Sequence, residues 1–228
     1  MIDRTRGTYF SIVSVLMLLL SVIAFSDNLF TDVGQPSNHD PKFIVHGLFG
    51  LAWYVLLAMQ ANLIRVRNLR LHRTLGVATF VVAIGVTLST LYLFVVLWKG
   101  WANMAPDVRA NRLLLPGYAL CLLLAWRWRA HADWHKRLIF VGTFFMLSPV
   151  LDRVYDRLIM SWAKPLFPTL YTPAVDEIGF LVFRWGSWIA FFVSLALYDW
   201  KMLPRRVHRV TLAGCAWFLM VALISEFT

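Results

Sequence analysis

Seven apolar stretches, each near twenty residues long, dominate this sequence. They run roughly over residues 8–26, 43–64, 75–98, 112–128, 137–159, 177–199 and 209–226. A hydrocarbon layer about 30 Å thick takes about 20 helical residues to cross. Inside that layer each backbone N–H and C=O must find its partner within the protein, which leaves helices and closed barrels. Barrel strands would show as ten-residue segments of alternating hydrophobicity, and no such alternation is present. The expected fold is all-α: a single integral membrane domain, residues 1–228, forming a bundle of seven transmembrane helices.

Composition agrees. The chain is 60% hydrophobic and only 15% charged, whereas soluble chains run nearer half apolar and about a quarter charged. A chain of 228 residues could not hide that excess in one core. The eleven Trp, seventeen Phe and seven Tyr suit lipid contact and interfacial belts. The net charge of +10 would suggest an anionic partner on a soluble protein. Here its placement explains it. Fourteen basic residues fall in four short segments, around Arg4 and Arg6, Arg65 to Arg73, Arg127 to Arg137 and Lys201 to Arg209, with only Asp3, Asp133 and Asp199 among them. Seven spans put those four segments on one face, and basic loops mark the cytoplasmic side. The expectation is an N-terminus inside and a C-terminus outside. The partner implied for the basic face is a bilayer with anionic headgroups, and no nucleic acid. The interleaved run Trp126-Arg127-Trp128-Arg129 likewise reads as an interfacial belt. The first span, lacking a small-residue cleavage pattern after Phe25, reads as an uncleaved anchor. Cys121 and Cys215 fall inside apolar helices and read as small hydrophobes, without a disulfide framework.

A histidine precedes three of the spans: His72 in Leu71-His-Arg-Thr-Leu75, His135 in Trp134-His-Lys-Arg-Leu138, and His208 in Val207-His-Arg-Val-Thr211. These residues either snorkel to headgroups or form a pH- or phosphate-sensing face. His46, Trp53, Gln60, Leu63-Ile64-Arg65 and Leu71-His72-Arg73-Thr74-Leu75-Gly76 resemble blocks of a family of uncharacterised bacterial polytopic inner-membrane proteins. Trp134-His135-Lys136-Arg137-Leu138, with Pro149 and Arg153 downstream, is similar to a second block of that family. The resemblance spans residues 43–157. It implies a multi-pass protein of the bacterial inner membrane and assigns no activity. Distant relatives of the group look like transmembrane b-type cytochromes, which makes haem b the cofactor to test. Such a haem needs axial ligands from two helices at one depth. Only His46 lies clearly inside a span, and no Cys-x-x-Cys-His site exists, so the expectation is no cofactor. A retinal reading falls as well, because the last span holds no lysine.

Ionisable groups cost roughly 2.5–3.5 kcal/mol each at the centre of a spanning helix and therefore need partners or a wet cavity. Those inside the spans gather in the outer half: His46, Asp152, Arg153, Asp156, Arg157 and Arg184. Asp152 and Asp156 are spaced i, i+4, as are Arg153 and Arg157. Gly47 and Gly50 beside His46 would let helices approach closely, and Pro149 frees a carbonyl in span five. Two readings follow. In one, the aspartates hold Arg153, Arg157 and Arg184 in a structural ion-pair knot. In the other, the six residues line an outward-facing pocket for a small polar or anionic ligand. Adjacent arginines argue against a metal. No nucleophile accompanies these charges, so the expectation leans away from an enzyme. The loop at 160–176, with three prolines, is expected to be irregular and to lie along the interface as an aromatic anchor or a lid. Three functions remain open: ligand binding or transport, an accessory subunit with partner membrane subunits, and a haem oxidoreductase.

Overall fold

The computed structural model describes residues 2–32 and 34–227, and side chains from residue 7 onward except that of residue 163. The side chains of Arg4 and Arg6, counted in the charge pattern, lie outside the described residues. Helices account for almost all of it, and no strand occurs among the described residues. Six helices are long and apolar enough to cross a membrane, and a bent pair makes a seventh if it counts as one span. The chain divides into two compact units, residues 1–100 and 101–228.

The first unit contains α1 (Ile2–Ala24), α2 (Pro41–Arg65) and α3 (Leu69–Val96). Asp40 caps α2 by accepting from Lys42 N, with Pro41 in the first turn, where a missing N–H costs nothing. The adjacent Lys42 ammonium holds the Asp40 carboxyl below the usual carboxylate range. Asn68 caps α3 by accepting from Leu71 N, and Arg67 closes the turn between the two helices at φ 62. Helix α3 therefore begins at Leu69, inside the basic run expected to be a loop. Ser11 Oγ of α1 donates to Asn62 Oδ1 of α2 at 2.8 Å. Gly47 and Gly50 do not mediate the packing as expected: a Cβ on either would meet no described atom within 4 Å. The close approach is instead at Gly85 of α3, which receives the Phe49 ring.

The second unit is built from α4 (Pro106–Arg127), α5 (Ala132–Phe145), α6 (Ser148–Tyr155), α7 (Pro173–Met202) and α8 (Arg209–Phe227). Helices α4 and α5 form a hairpin, α8 packs against both, and α7 packs on α6 and α8. Gly214 lets α8 press on Val141 of α5. The core holds Tyr118, Phe144, Leu147, Leu151, Leu195 and Val221. Trp188 and Phe218 stack at 4.3 Å between centroids, and Phe144 meets Phe192 edge-on at 5.4 Å. Large apolar side chains also face outward. Leu120, Leu123, Leu197 and Leu212 are each more than half exposed, far more apolar surface than a soluble chain leaves uncovered. That is a lipid-facing surface, and it makes van der Waals fit, not water exclusion, the main force between these helices.

The expected continuous span at 137–159 is two helices. Helix α5 stops at Phe145, α6 restarts at Ser148 with Pro149 in its first turn, and the axes differ by 51°. The cause is Pro149, which has no N–H for an unbroken ladder and suits a helix start. Beyond α6 the chain continues as a π-helix over Asp156–Ala163 and one further turn at Lys164–Leu166. The irregular loop thus shrinks to residues 167–172, because Pro165 sits in a first turn that tolerates proline.

Candidate functional site

The bend places Ser148 on the first turn of α6, one turn before Asp152. Helix α7 brings Arg184 to both. Arg184 Nε lies 3.3 Å from Asp152 Oδ1, and an Nη of Arg184 donates to Ser148 Oγ at 2.9 Å. Ser148 Oγ in turn donates to Asp152 Oδ2 at 3.4 Å. The three side chains close a ring in which the guanidinium meets its counter-ion both directly and through the hydroxyl. Asp152 and Arg184 keep about a fifth of their side-chain surface exposed, 22% and 17%. The bend also changes the depth of this ring, since a straight-helix rise from Arg137 to Asp152 does not apply across the break at Met146 and Leu147.

Of the other expected site residues, Arg153 and Asp156 are exposed and Arg157 is partly exposed. His46 belongs to the first unit, where its Nδ1 lies 3.1 Å from Ser89 Oγ of α3. A small cavity of about 30 Å³ adjoins Arg184, lined also by Asp107 of α4, Ser148, Trp185 and Trp188, and Ser225 and Glu226 of α8. No residue of 160–176 lines it. That segment instead exposes Trp162, Leu166, Phe167 and Leu170. It is tied down by Lys164 Nζ, 3.5 Å from Asp176 Oδ2, and by Tyr155 OH, which reaches Asp176 Oδ1 and O at 3.0 Å.

The basic end of the second unit holds a cluster that the charge pattern had absorbed into topology. Arg137 and Asp199 are fully buried, with 0% side-chain exposure, and meet at 2.6 Å. Arg137 Nε also donates to Asp199 Oδ1 at 2.7 Å, and an Nη donates to Asp133 O at 2.8 Å. The second Asp199 oxygen accepts from Thr211 Oγ1 at 2.6 Å and from His208 N at 3.0 Å. One carboxylate thereby fastens α5, α7 and the start of α8. The signal lay in the sequence: Asp133 and Asp199 are acidic exceptions within basic segments, at the same end of their spans as Arg137.

The three loop histidines are engaged by protein groups. His135 Nδ1–H donates to Ala125 O at 2.9 Å. His208 Nδ1 accepts from Val210 N at 3.2 Å while its ring meets Trp134 edge-on. His72 lies beside Gln60, whose amide, in the orientation that satisfies both ends, donates to His72 O and accepts from Thr79 Oγ1 and Gly76 N. The histidine geometry constrains a shared haem iron in each unit. In the first, His46 stands 14 residues before Gln60 on α2, about 21 Å at the helical rise, so His46 and His72 cannot share an iron. In the second, Nδ1 of His135 donates to Ala125 O and leaves Nε2 open, while Nδ1 of His208 accepts from Val210 N, which places the ring proton on Nε2. Among the described residues no three of His, Cys, Asp and Glu converge on a metal position. No protein-family model, curated protein or solved structure matches the chain, so function is read from these clusters alone.

Proposed function

We propose that this chain is a seven-span protein of a bacterial inner membrane, N-terminus inside and C-terminus outside, that binds a small polar ligand beside Arg184 without catalysing a reaction on it. The orientation is supported by the confinement of 14 of 22 basic residues to four loops. The binding reading rests on the cavity lined by Asp107, Arg184 and Glu226. Its 30 Å³ holds one or two water-sized species. The lining carboxylates, with Asp152 behind Arg184, outnumber the single guanidinium, so a small cationic or neutral ligand suits the site better than an anion.

A second reading is favoured by one observation: both neighbours of Arg184, Asp152 and Ser148, already neutralise and hold it. In that case the ring is an ion-pair knot, and the chain is an accessory subunit of a larger membrane assembly. The two readings separate in thermal unfolding of the purified protein titrated with ammonium chloride, and with sodium formate at matched ionic strength. Site binding gives a saturable rise in Tm with ammonium, about 2.7 kcal/mol of stabilisation at a hundred times Kd, and none with formate. Asp107→Asn abolishes the rise while the bundle stays folded, and Arg184→Leu, which removes the competing guanidinium, keeps or strengthens it. No rise in the wild type, with Arg184→Leu costing stability alone, leaves the knot.

A further inference from the structure

A larger hollow in the second unit lies elsewhere. It measures about 420 Å³ and lies between α4 and α8, with α5 as its floor. Its walls are almost wholly apolar, from Leu120 and Cys121 through Val141 to Ala213 and Trp217. Leu120 and Ala213 are exposed, so the hollow opens sideways, along the face that carries the outward leucines. At one end stand Trp128, Trp134 and Arg209. Arg209 is exposed and begins α8 in the basic segment with Arg205 and Arg206. At the other end Pro116 and Trp217 close it.

Its dimensions select an occupant. From Arg209 to Trp217 is 8 residues of α8, and from Trp128 to Pro116 is 12 residues of α4, so the groove runs about 12–18 Å. Half of a 30 Å hydrocarbon core is about 15 Å. The groove therefore reaches from the headgroup level to the bilayer midplane, the extent of one leaflet. A transmembrane helix is about 10 Å wide with its side chains. An acyl chain needs far less width. The mouth adds charge complementarity: a guanidinium on the basic face, flanked by two indoles of the kind that settle at headgroup depth.

We propose that this groove is a binding site for one anionic phospholipid of the basic-side leaflet, its acyl chain between α4 and α8 and its phosphate on Arg209. Gly214 makes the site possible, because it draws α8 onto Val141 and leaves the shallow face at Ala213 to the chain. The site differs in ligand, location and polarity from the cavity at Arg184.

The test uses the full-length protein reconstituted in vesicles of phosphatidylcholine doped with brominated-chain phosphatidylglycerol or brominated-chain phosphatidylcholine. Bromine quenches nearby indoles, and subtraction of a Trp217→Phe variant isolates the signal at the deep end. The expected result is saturable quenching of Trp217 at low doping, about fivefold more favourable for the anionic lipid, the factor one basic residue contributes beside an anionic surface. Arg209→Gln should remove the fivefold preference and keep the quenching. Ala213→Phe, which fills the groove, should remove the saturable component. Equal quenching by both lipids in the wild type, growing linearly with doping, overturns the proposal in favour of ordinary boundary lipid. Saturation unchanged by Ala213→Phe overturns it too, as does co-purification of a membrane subunit that Ala213→Phe displaces. Arg209→Gln alters only an exposed side chain, so it keeps the test decisive should Ala213→Phe fold poorly.

Discussion

The buried Arg137–Asp199 pair makes the sharpest prediction about stability. Asp199→Leu removes the carboxylate and leaves a guanidinium with 0% exposure. Breaking one side of such a pair costs about 3–5 kcal/mol. Arg137 retains Asp133, whose Oδ1 lies 3.2 Å away but whose side chain is 64% exposed, so the loss should fall near the lower figure. For a chain of this length, each kcal/mol moves Tm by about 2–4 °C, which puts the variant about 10 °C below the wild type. Arg137→Met with Asp199→Leu exchanges both charges for apolar groups of similar bulk, a swap that is neutral or gains 1–4 kcal/mol. Against that gain, His208 N–H and Thr211 Oγ1 lose their acceptor, at about 1–3 kcal/mol each. On mid-range figures the double variant should therefore lie about 2 kcal/mol below the wild type, with a coupling of about 2 kcal/mol or more. Tryptophan-fluorescence melts of the four proteins in one detergent measure the cycle. A Tm for Asp199→Leu within 2 °C of the wild type, or additive single effects, would refute the view that this pair fastens α5 to α7 and α8.

Three further outcomes can be checked with the same melts. Gly214→Ala drives a methyl into Val141 and should cost about 1–3 kcal/mol by overpacking; Gly50→Ala meets no described atom and should be neutral or gain up to about 1 kcal/mol from helix propensity. Burial, reinforced by the Arg137 guanidinium, lowers the pKa of His208 below its ordinary 6.5. The unfolded chain then takes up that proton first, so the stability from neutral His208 is complete above about pH 6.5 and drains away as pH falls below it. A Tm–pH profile from pH 5 to 8 should show this loss in the wild type and less of it in His208→Gln.

The apolar stretches made the helices legible, since length and composition alone mark a segment that can cross a bilayer. Their ends were less so. Helix α7 reaches from Pro173 to Met202, beyond the expected 177–199, because the flanking polar turns cost nothing outside hydrocarbon and Thr172 caps the start. The break before Ser148 was hidden by a run that reads as continuous apolar sequence, although Ser-Pro is a helix-start signature. At the candidate site, Asp152 was one of two aspartates expected to hold Arg184, and the fold does pair them, although the bend removes the straight-helix depth that had placed them at one level. Helical spacing said nothing of which way α6 after the bend would send Arg153, or the π-helical turns Asp156 and Arg157. The Arg137–Asp199 contact was missed for a different reason. Its residues lie 62 apart in sequence, and each looked like a loop charge, so the only clue was opposite sign at one membrane level.

That separation also sets an order of events during synthesis. Arg137 leaves the ribosome well before Asp199, and at about 5–20 residues per second the interval is roughly 3–12 s. Throughout it the carboxylate within reach of Arg137 on its own helix is Asp133, one turn back. Asp133 is thus the first counter-ion the chain offers Arg137. Its contact persists in the fold at 3.2 Å, where the buried bond to Asp199 is added to it and does not replace it.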